Sequence, residues 1–287
     1  MARALVTGTS TGIGRATALE LARRGHEVVA TMRDTSRADG LLADADAAGL
    51  SVTVAELDVD DDASVKRAFE QIGGVDVLVN NAGTSPVGAV EEFALQDWKA
   101  LFETNLFGVI RCVQAALPYM REQRSGHIVN ISSVTGRTAI PIFGPYAASK
   151  WAVEAMSESL AAEVAVFDIA VTLVEPGAIA TPIREKTGAP DRNSIYRPVA
   201  KNWGFAVGRD HALASPPELV ANAVADALDA DPAPLRVPVG SGVEEMIELR
   251  SRHDDRSWID LWSSETGRFL TRWNELTGVD LTAPPGP

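Results

Sequence analysis

The sequence predicts an α/β fold: a doubly wound parallel sheet of about seven strands, with helices on both faces and a helical extension at the C-terminal end. Three observations predict it. Short runs rich in Val, Ile and Leu recur along the 287 residues, mostly without polar alternation. That is how strands buried on both faces read. Helical stretches separate the runs, and the first run ends in a glycine-rich turn that opens a helix.

In chain order the strands are expected at Ala4–Thr7, Glu27–Thr31, Ser51–Leu57, Val75–Val79, Gly126–Ile131, Ile169–Val174 and Leu235–Val239. The helices are expected at Ile13–Arg24, Asp62–Gln71, Asp97–Arg121, Pro145–Phe167 and Pro217–Asp229. Pro182–Ser215 reads as a long connection carrying Ile183, Ile195, Tyr196, Trp203 and Phe205. Connections of that length in a compact domain are functional lids or disordered segments. Farther on, Trp258, Leu261, Trp262, Phe269, Leu270, Trp273 and Leu276 fall at helical spacing. An amphipathic helix docked on the core is the plain reading. Covering the substrate entrance, a neighbouring subunit or a membrane are its alternatives; Asp255, Asp260 and Glu265 on the other face argue against an anionic lipid surface. Ala283–Pro287 reads as a frayed tail.

Composition narrows the function classes. A hydrophobic content of 46% with mean hydropathy +0.01 suits a soluble globular protein. A net charge of −13 and a pI near 4.8 argue against a nucleic-acid partner, which needs clustered Lys and Arg. The single cysteine, Cys112, lies among Val109, Ile110 and Val113 and reads as a buried, inert thiol. The four histidines show no metal-ligand spacing, so no metal is expected. The chain enters its first strand at once, without an apolar signal region, and no stretch reads as a membrane span; a cytoplasmic protein is expected.

In a sheet of this kind ligands bind beyond the C-terminal ends of the strands. The first strand ends in Thr7-Gly8-Thr9-Ser10-Thr11-Gly12-Ile13-Gly14. Glycines permit a tight turn and let backbone N–H groups approach a pyrophosphate at the helix N-terminus. Elsewhere, Tyr146-Ala-Ala-Ser-Lys150 puts a phenol and an ammonium four residues apart, on one helix face. A tyrosine titrates near ~10 when unperturbed. A fixed positive charge nearby draws that value down, and the pair then suits proton exchange with an alcohol or carbonyl. Alone the spacing also fits a tyrosine packed on a lysine stem.

The glycine turn is followed in order by Asn80-Asn81-Ala82-Gly83, by Asn105 in Asn-Leu-Phe-Gly, by Ser133 in Ile-Ser-Ser, by Tyr146 and Lys150, and by Pro176-Gly177. Together these resemble the short-chain dehydrogenase/reductase family, in its compact single-domain branch, over roughly residues 3–240. Ala30–Asp34 and the C-terminal region more loosely resemble 17β-hydroxysteroid and retinol dehydrogenase-like members. The resemblance implies a Rossmann-type dinucleotide-binding and catalytic domain over 1–240, with 182–215 as substrate lid, an extension over 241–282 and a tail over 283–287. It also implies a homodimer or homotetramer joined through the Asp97–Arg121 and Pro145–Phe167 helices.

The roles it implies are these. Ser133, thirteen residues before Tyr146, polarises the reacting oxygen and Tyr146 exchanges the proton. Lys150 supports the phenolate and bonds the nicotinamide ribose. Asn105 holds a relay water through a kink in its helix. Gly8, Ser10, Gly12, Ile13 and Gly14 cradle the phosphates. Asp58 and Val59 meet the adenine, and Asn81, Ala82 and Gly83 pack on the adenosine side. Pro176, Gly177, Ile179 and Thr181 border the carboxamide. Met32 stands where an acid would select NAD(H), and Arg33 follows it, so NADP(H) is expected; a longer second strand would instead bring Asp34 to the ribose. Ile140, Phe143 and Trp203 are candidate contacts to a fairly apolar alcohol or ketone. A cofactor-binding sensor without turnover is the competing class, against which the complete Ser/Tyr/Lys set weighs.

Overall fold

The computed structural model describes residues 1–183 and 193–283. Its seven strands are β1 (Arg3–Thr7), β2 (Glu27–Met32), β3 (Val52–Glu56), β4 (Val77–Asn80), β5 (Gly126–Ile131), β6 (Ile169–Pro176) and β7 (Arg236–Val239). They form one parallel sheet in the order β3-β2-β1-β4-β5-β6-β7. The chain winds one way from β1 and the other way from β4, so the crevice where the order reverses opens between β1 and β4.

Two helical layers cover the sheet. On one face α1 (Gly12–Arg23), α2 (Asp39–Ala47) and α8 (Pro217–Asp229) pack against Val6, Val28, Ala30, Val79, Val129 and Val174. On the other, α3 (Asp62–Ile72), α5 (Gly108–Gln123) and α6 (Gly144–Val164) pack against Leu5, Leu78, Ile128 and Val171. Alternate residues of the strands therefore serve opposite cores, which is why the strands lack polar alternation.

The helix expected at Asp97–Arg121 is α4 (Leu95–Phe102) joined to α5 by a π-helical turn, Glu103–Phe107. There the Gly108 N–H bonds the Glu103 carbonyl, five residues back. The uninterrupted stretch Leu95–Gln123 is long and apolar enough to cross a membrane, contrary to the expectation that none would be. Its apolar side is used here on the sheet, through Val109, Cys112, Val113, Ala116 and Met120.

Three helices escape the sequence pattern. Helix α2 presents little more than Leu41 and Ala45 to the core. Helix α7 (Arg197–Ala212) lies inside the stretch read as a loop; Pro198, Gly204 and Gly208 dilute its pattern. Helix α9 (Val243–Arg252) buries only Val243. The tail expected as one helix is two, α10 (Asp255–Ser263) and α11 (Thr266–Thr277). They enclose a third core of Trp258, Leu261, Trp262, Phe269 and Trp273, which also takes in Ala206 of α7. The Asn202 amide donates to the carbonyls of Trp262 and Ser264, at 3.1 and 2.9 Å, fastening α7 to the α10–α11 junction. Residues 184–192 of the expected lid and 284–287 of the expected tail lie outside the described residues.

Candidate active site

The glycine turn and the end of β4 are built as one unit. Thr7 ends β1, and its hydroxyl accepts the N–H groups of Asn81 and Ala82 at 2.9 and 3.0 Å. The Asn81 amide returns two bonds, to the carbonyls of Thr7 at 2.8 Å and Gly8 at 3.2 Å. Gly8 takes φ 71°, and a Cβ on it would stand 2.9 Å from Ala82 Cα. One on Gly14 would stand 2.4 Å from Asn81 Nδ2 and 2.5 Å from the Gly8 carbonyl. A side chain at either place would close the approach that a pyrophosphate needs at the N-terminus of α1. Ser10 and Ile13 lie in the same turn. Across it, Thr181 stands 3.2 Å from the Cβ position of Gly12. Gly177 is held by the Val239 carbonyl at 2.9 Å, and Ile179 is buried, bridged to Ser215. The segment after Pro176 thus meets the glycine turn from the far side of the crevice.

The residues expected to handle the proton converge from α6, β5 and the π turn. Ser133 follows β5, and its Oγ accepts from the Thr135 N–H at 3.2 Å and hydroxyl at 3.0 Å. It also acts on the Tyr146 phenol, favouring its ionised form. One turn along α6, the buried Lys150 ammonium donates to the Ile131 carbonyl at 2.8 Å and lies 5.9 Å from the Tyr146 ring centre. Tyr146 remains partly accessible as a residue. The electrostatics differ from the expectation in one respect. Burial pushes the phenol up to about 12, with Ser133 opposing it, and Lys150 does not overturn that. Burial also pushes the lysine down to about 8, against the pull of the Glu154 carboxylate. Desolvation of the charged forms outweighs the attraction of an ammonium already committed to a carbonyl.

Asn105 is 1% exposed inside the π turn. Its Oδ1 accepts the Thr84 N–H at 2.8 Å, and its Nδ2 donates to the Thr84 carbonyl at 2.9 Å and the Ser149 hydroxyl at 3.1 Å. It thus ties the Gly83 segment to α6 beside Lys150; Gly83 itself faces Asn105 Oδ1 at 3.3 Å from its Cβ position. A π turn also leaves a backbone carbonyl without its usual helical partner.

At the end of β2 the strand runs one residue longer than read, to Met32, which is 3% exposed and pairs with Glu56. Arg33 is exposed beyond it. The Asp34 carboxylate is occupied locally: it accepts the Ser36 N–H at 3.1 Å and hydroxyl at 2.6 Å, and these bonds hold it below the usual carboxylate range. Asp58 and Val59 follow β3, with Val59 packed against Gly108. The Asp58 carboxylate accepts the Asp60 N–H at 3.1 Å. Asp60 takes the Thr104 hydroxyl at 3.0 Å and, with Arg111 on the Val59 carbonyl at 3.1 Å, fastens this loop to the π turn.

The apolar candidates also meet here. The Phe143 ring lies 5.7 Å from Tyr146 and 5.4 Å from Trp203, which α7 brings over the site. The turn before Phe143 takes Ile142 to φ 69°, a strained conformation for a β-branched side chain. Ile140 rests on the C-terminal core, and Trp258 Nε1 donates to the neighbouring Ala139 carbonyl at 3.0 Å. Sequence reasoning missed Thr7, Thr135 and Ser149, short hydroxyl residues whose common structural uses hide any functional signal. The clefts found between α1 and α8 and between α3 and α5 touch none of the expected site residues.

Comparison with known proteins adds the following. The family model described as short chain dehydrogenase matches residues 2–192. Retinol dehydrogenase 8 of Homo sapiens is 36% identical over 297 residues, covering 96% of this chain and 93% of that protein. A short-chain dehydrogenase from Streptomyces avermitilis superposes with a TM-score of 0.77 at 34% identity, covering 97% of this chain and 99% of that one. A gluconate 5-dehydrogenase from Burkholderia cenocepacia, solved with NADP and tartrate, gives 0.72 at 27% identity, covering 85% and 95%.

Proposed function

The chain belongs to the short-chain dehydrogenase family, and from that premise we propose that it interconverts a fairly apolar alcohol and its ketone or aldehyde, with NADP(H) as cofactor and Tyr146 as acid and base. It is an NAD(P)-dependent oxidoreductase acting on CH–OH groups. The observation that carries the finer reading is the Lys150 ammonium, buried one turn from Tyr146 and 5.9 Å from the centre of its ring, with Ser133 acting on the same phenol.

The residues present fit a dinucleotide. Gly8, Gly12 and Gly14 keep the turn open to phosphate, and Thr181 and Ile179 border its nicotinamide end. When bound, the nicotinamide supplies or accepts the hydride. In reduction, Tyr146 Oη gives its proton to the carbonyl oxygen while Ser133 Oγ donates to the same oxygen and offsets its growing charge. A phenol held near 12 enters that direction already protonated. In oxidation, the ammonium of Lys150 stabilises the phenolate that takes the alcohol proton. Lys150 would turn from the Ile131 carbonyl to the ribose hydroxyls, and Asn105 holds α6 and the Gly83 segment in register.

Arg33 supports NADP(H): its guanidinium is exposed at the end of β2, where Met32 is buried and Asp34 is committed to Ser36. Ser10 would add a hydroxyl from the glycine turn. The NADP-bound relative supports the same choice. Phe143, Trp203 and Ile140 support an apolar substrate, in keeping with a retinol dehydrogenase as relative. Phe107 and Trp151, exposed on the two long helices, suit a homodimer or homotetramer.

The test is to mix purified protein with NADPH or NADH and ketones of graded apolarity, following the reduced-nicotinamide absorbance. Tyr146→Phe should lower turnover by roughly 10²–10⁴-fold and leave NADPH binding intact. Normal turnover in that variant refutes the assignment, and no oxidation of either cofactor across the panel favours a sensor.

A further inference from the structure

One turn beyond Lys150 on α6, on the side away from Tyr146, stands Glu154, 4% exposed. Its Oε2 accepts from Arg236 of β7 at 3.0 Å. Arg236 Nε also lies 3.5 Å from Glu175 of β6, which is 1% exposed and accepts from Arg137 at 3.0 Å. Arg236 reaches outward as well, to Glu158 on the exposed side of α6. Lys150, Arg137 and Arg236 therefore gather with Glu154, Glu158 and Glu175, three positive groups and three negative, of which Lys150, Glu154 and Glu175 are out of water. Such an arrangement is a poor source of stability compared with apolar packing, so its presence calls for another account.

The second Glu154 oxygen supplies one. Oε1 is buried and has no hydrogen-bond partner. It lies 3.4 Å from the Cβ position of Gly136, and the Ser132 hydroxyl, also buried and unpartnered, lies 2.8 Å from the same point. The carboxylate is thus gripped on one side by Arg236 and left bare on the other. Among the described residues it is the acid that acts on Lys150.

We propose that Glu154 is a positioning residue for the catalytic pair: held by Arg236, which it shares with Glu175, its carboxylate keeps Lys150 an ammonium within a site that excludes water. The proposal rests on the reading of Tyr146 and Lys150 given above. Removing the charge would let Lys150 lose its proton at a lower pH, and with it the hold on the cofactor ribose and the support for the phenolate.

The test compares the wild type with Glu154→Gln, Glu154→Asp and Glu158→Gln, reading kcat/KM and NADPH binding against pH and Tm alongside. Glu154→Gln should move the alkaline limb of both profiles down by about one pH unit. Glu154→Asp keeps the charge but draws it back by a methylene, and should move the limb the same way by less than half as much. Glu158→Gln, which loses an exposed partner of the same arginine, should leave it in place. An unmoved limb in Glu154→Gln overturns the proposal, as do equal shifts in the Gln and Asp variants with equal losses of Tm, which would mean packing alone. Should Glu154→Gln not fold, a wild-type limb in Glu154→Asp overturns it too. Turnover that survives Tyr146→Phe would instead remove the reading beneath it, an outcome these profiles cannot mimic.

Discussion

Gly14→Ala tests the cradle where its geometry is tightest. The added methyl would stand 2.4 Å from Asn81 Nδ2 and 2.5 Å from the Gly8 carbonyl. Relief requires a movement of about 1 Å, because ordinary contact begins near 3.4 Å. The Asn81 side chain can swing away only by giving up its bonds to the Thr7 and Gly8 carbonyls, about 1 kcal/mol each. The Gly8 carbonyl belongs to backbone fixed at the end of β1, so some overpacking of about 1–3 kcal/mol remains. A loss of about 3 kcal/mol lowers the Tm of a domain of this size by roughly 5 °C. NADPH should bind at least about tenfold more weakly, since an ångström of displacement moves the N–H groups off the phosphates. Differential scanning fluorimetry and a fluorescence titration with NADPH read the two effects. Gly204→Ala is the control: nothing lies within 4 Å of its Cβ position on α7, and alanine there should be neutral or stabilising by up to about 1 kcal/mol. A Gly14→Ala variant that melts within about 2 °C of the wild type and binds NADPH normally would refute the account of the turn.

Other residues give shorter tests. Arg33→Ala should weaken NADPH binding by about tenfold and leave NADH unchanged, as for loss of one exposed charge-assisted contact; a wild type that prefers NADH would contradict it. Trp203→Ala removes the ring that meets Phe143 edge to face at 5.4 Å. It should raise KM by about five- to tenfold for bulky apolar ketones, with little change for the smallest in the panel; a uniform change in kcat would point elsewhere. His127, buried beside Thr172, is pushed by burial from an ordinary 6.5 down to about 4. The unfolded chain therefore binds the proton first, so this contribution is complete above about pH 6.5 and is lost as pH falls toward 4, by up to about 3 kcal/mol. His127→Gln should flatten the dependence of Tm on pH in that window, and an unchanged slope would show that other groups carry it.

The strands were legible because a doubly buried parallel sheet writes itself as Val-rich runs, and each expected run has its strand. The glycine turn was legible because only glycine tolerates Gly8 at φ 71° against Ala82. Helix α7 was not. Its glycines and its proline break the pattern, and what holds it is tertiary: Asn202 on α10 and Trp203 on Phe143. The sign of the shift at Tyr146 was also out of reach, since the spacing to Lys150 reveals attraction while burial depends on the whole fold. Glu154 illustrates the same limit. An acid four residues after a lysine reads as an exposed helical pair, and only packing against β6 and β7 puts it out of water with Arg236 and Glu175. Asn105 gave a partial signal, being a poor helix former at the place where the helix becomes a π turn.

The tryptophan-rich core of the last helices has no member in common with the two cores that clamp the sheet. Ile140 and Trp203, the proposed substrate contacts, lean on that third core, whereas Gly8, Gly14 and Asn81 are anchored on the sheet. Dissolution of the protein by denaturant should accordingly be graded. The C-terminal helices can let go first, and the proposed substrate contacts would then be lost while the glycine turn still stands. For the same reason, preference for one alcohol over another can drift through exchanges around Trp258 and Phe269, far from the proton chemistry and without disturbing it.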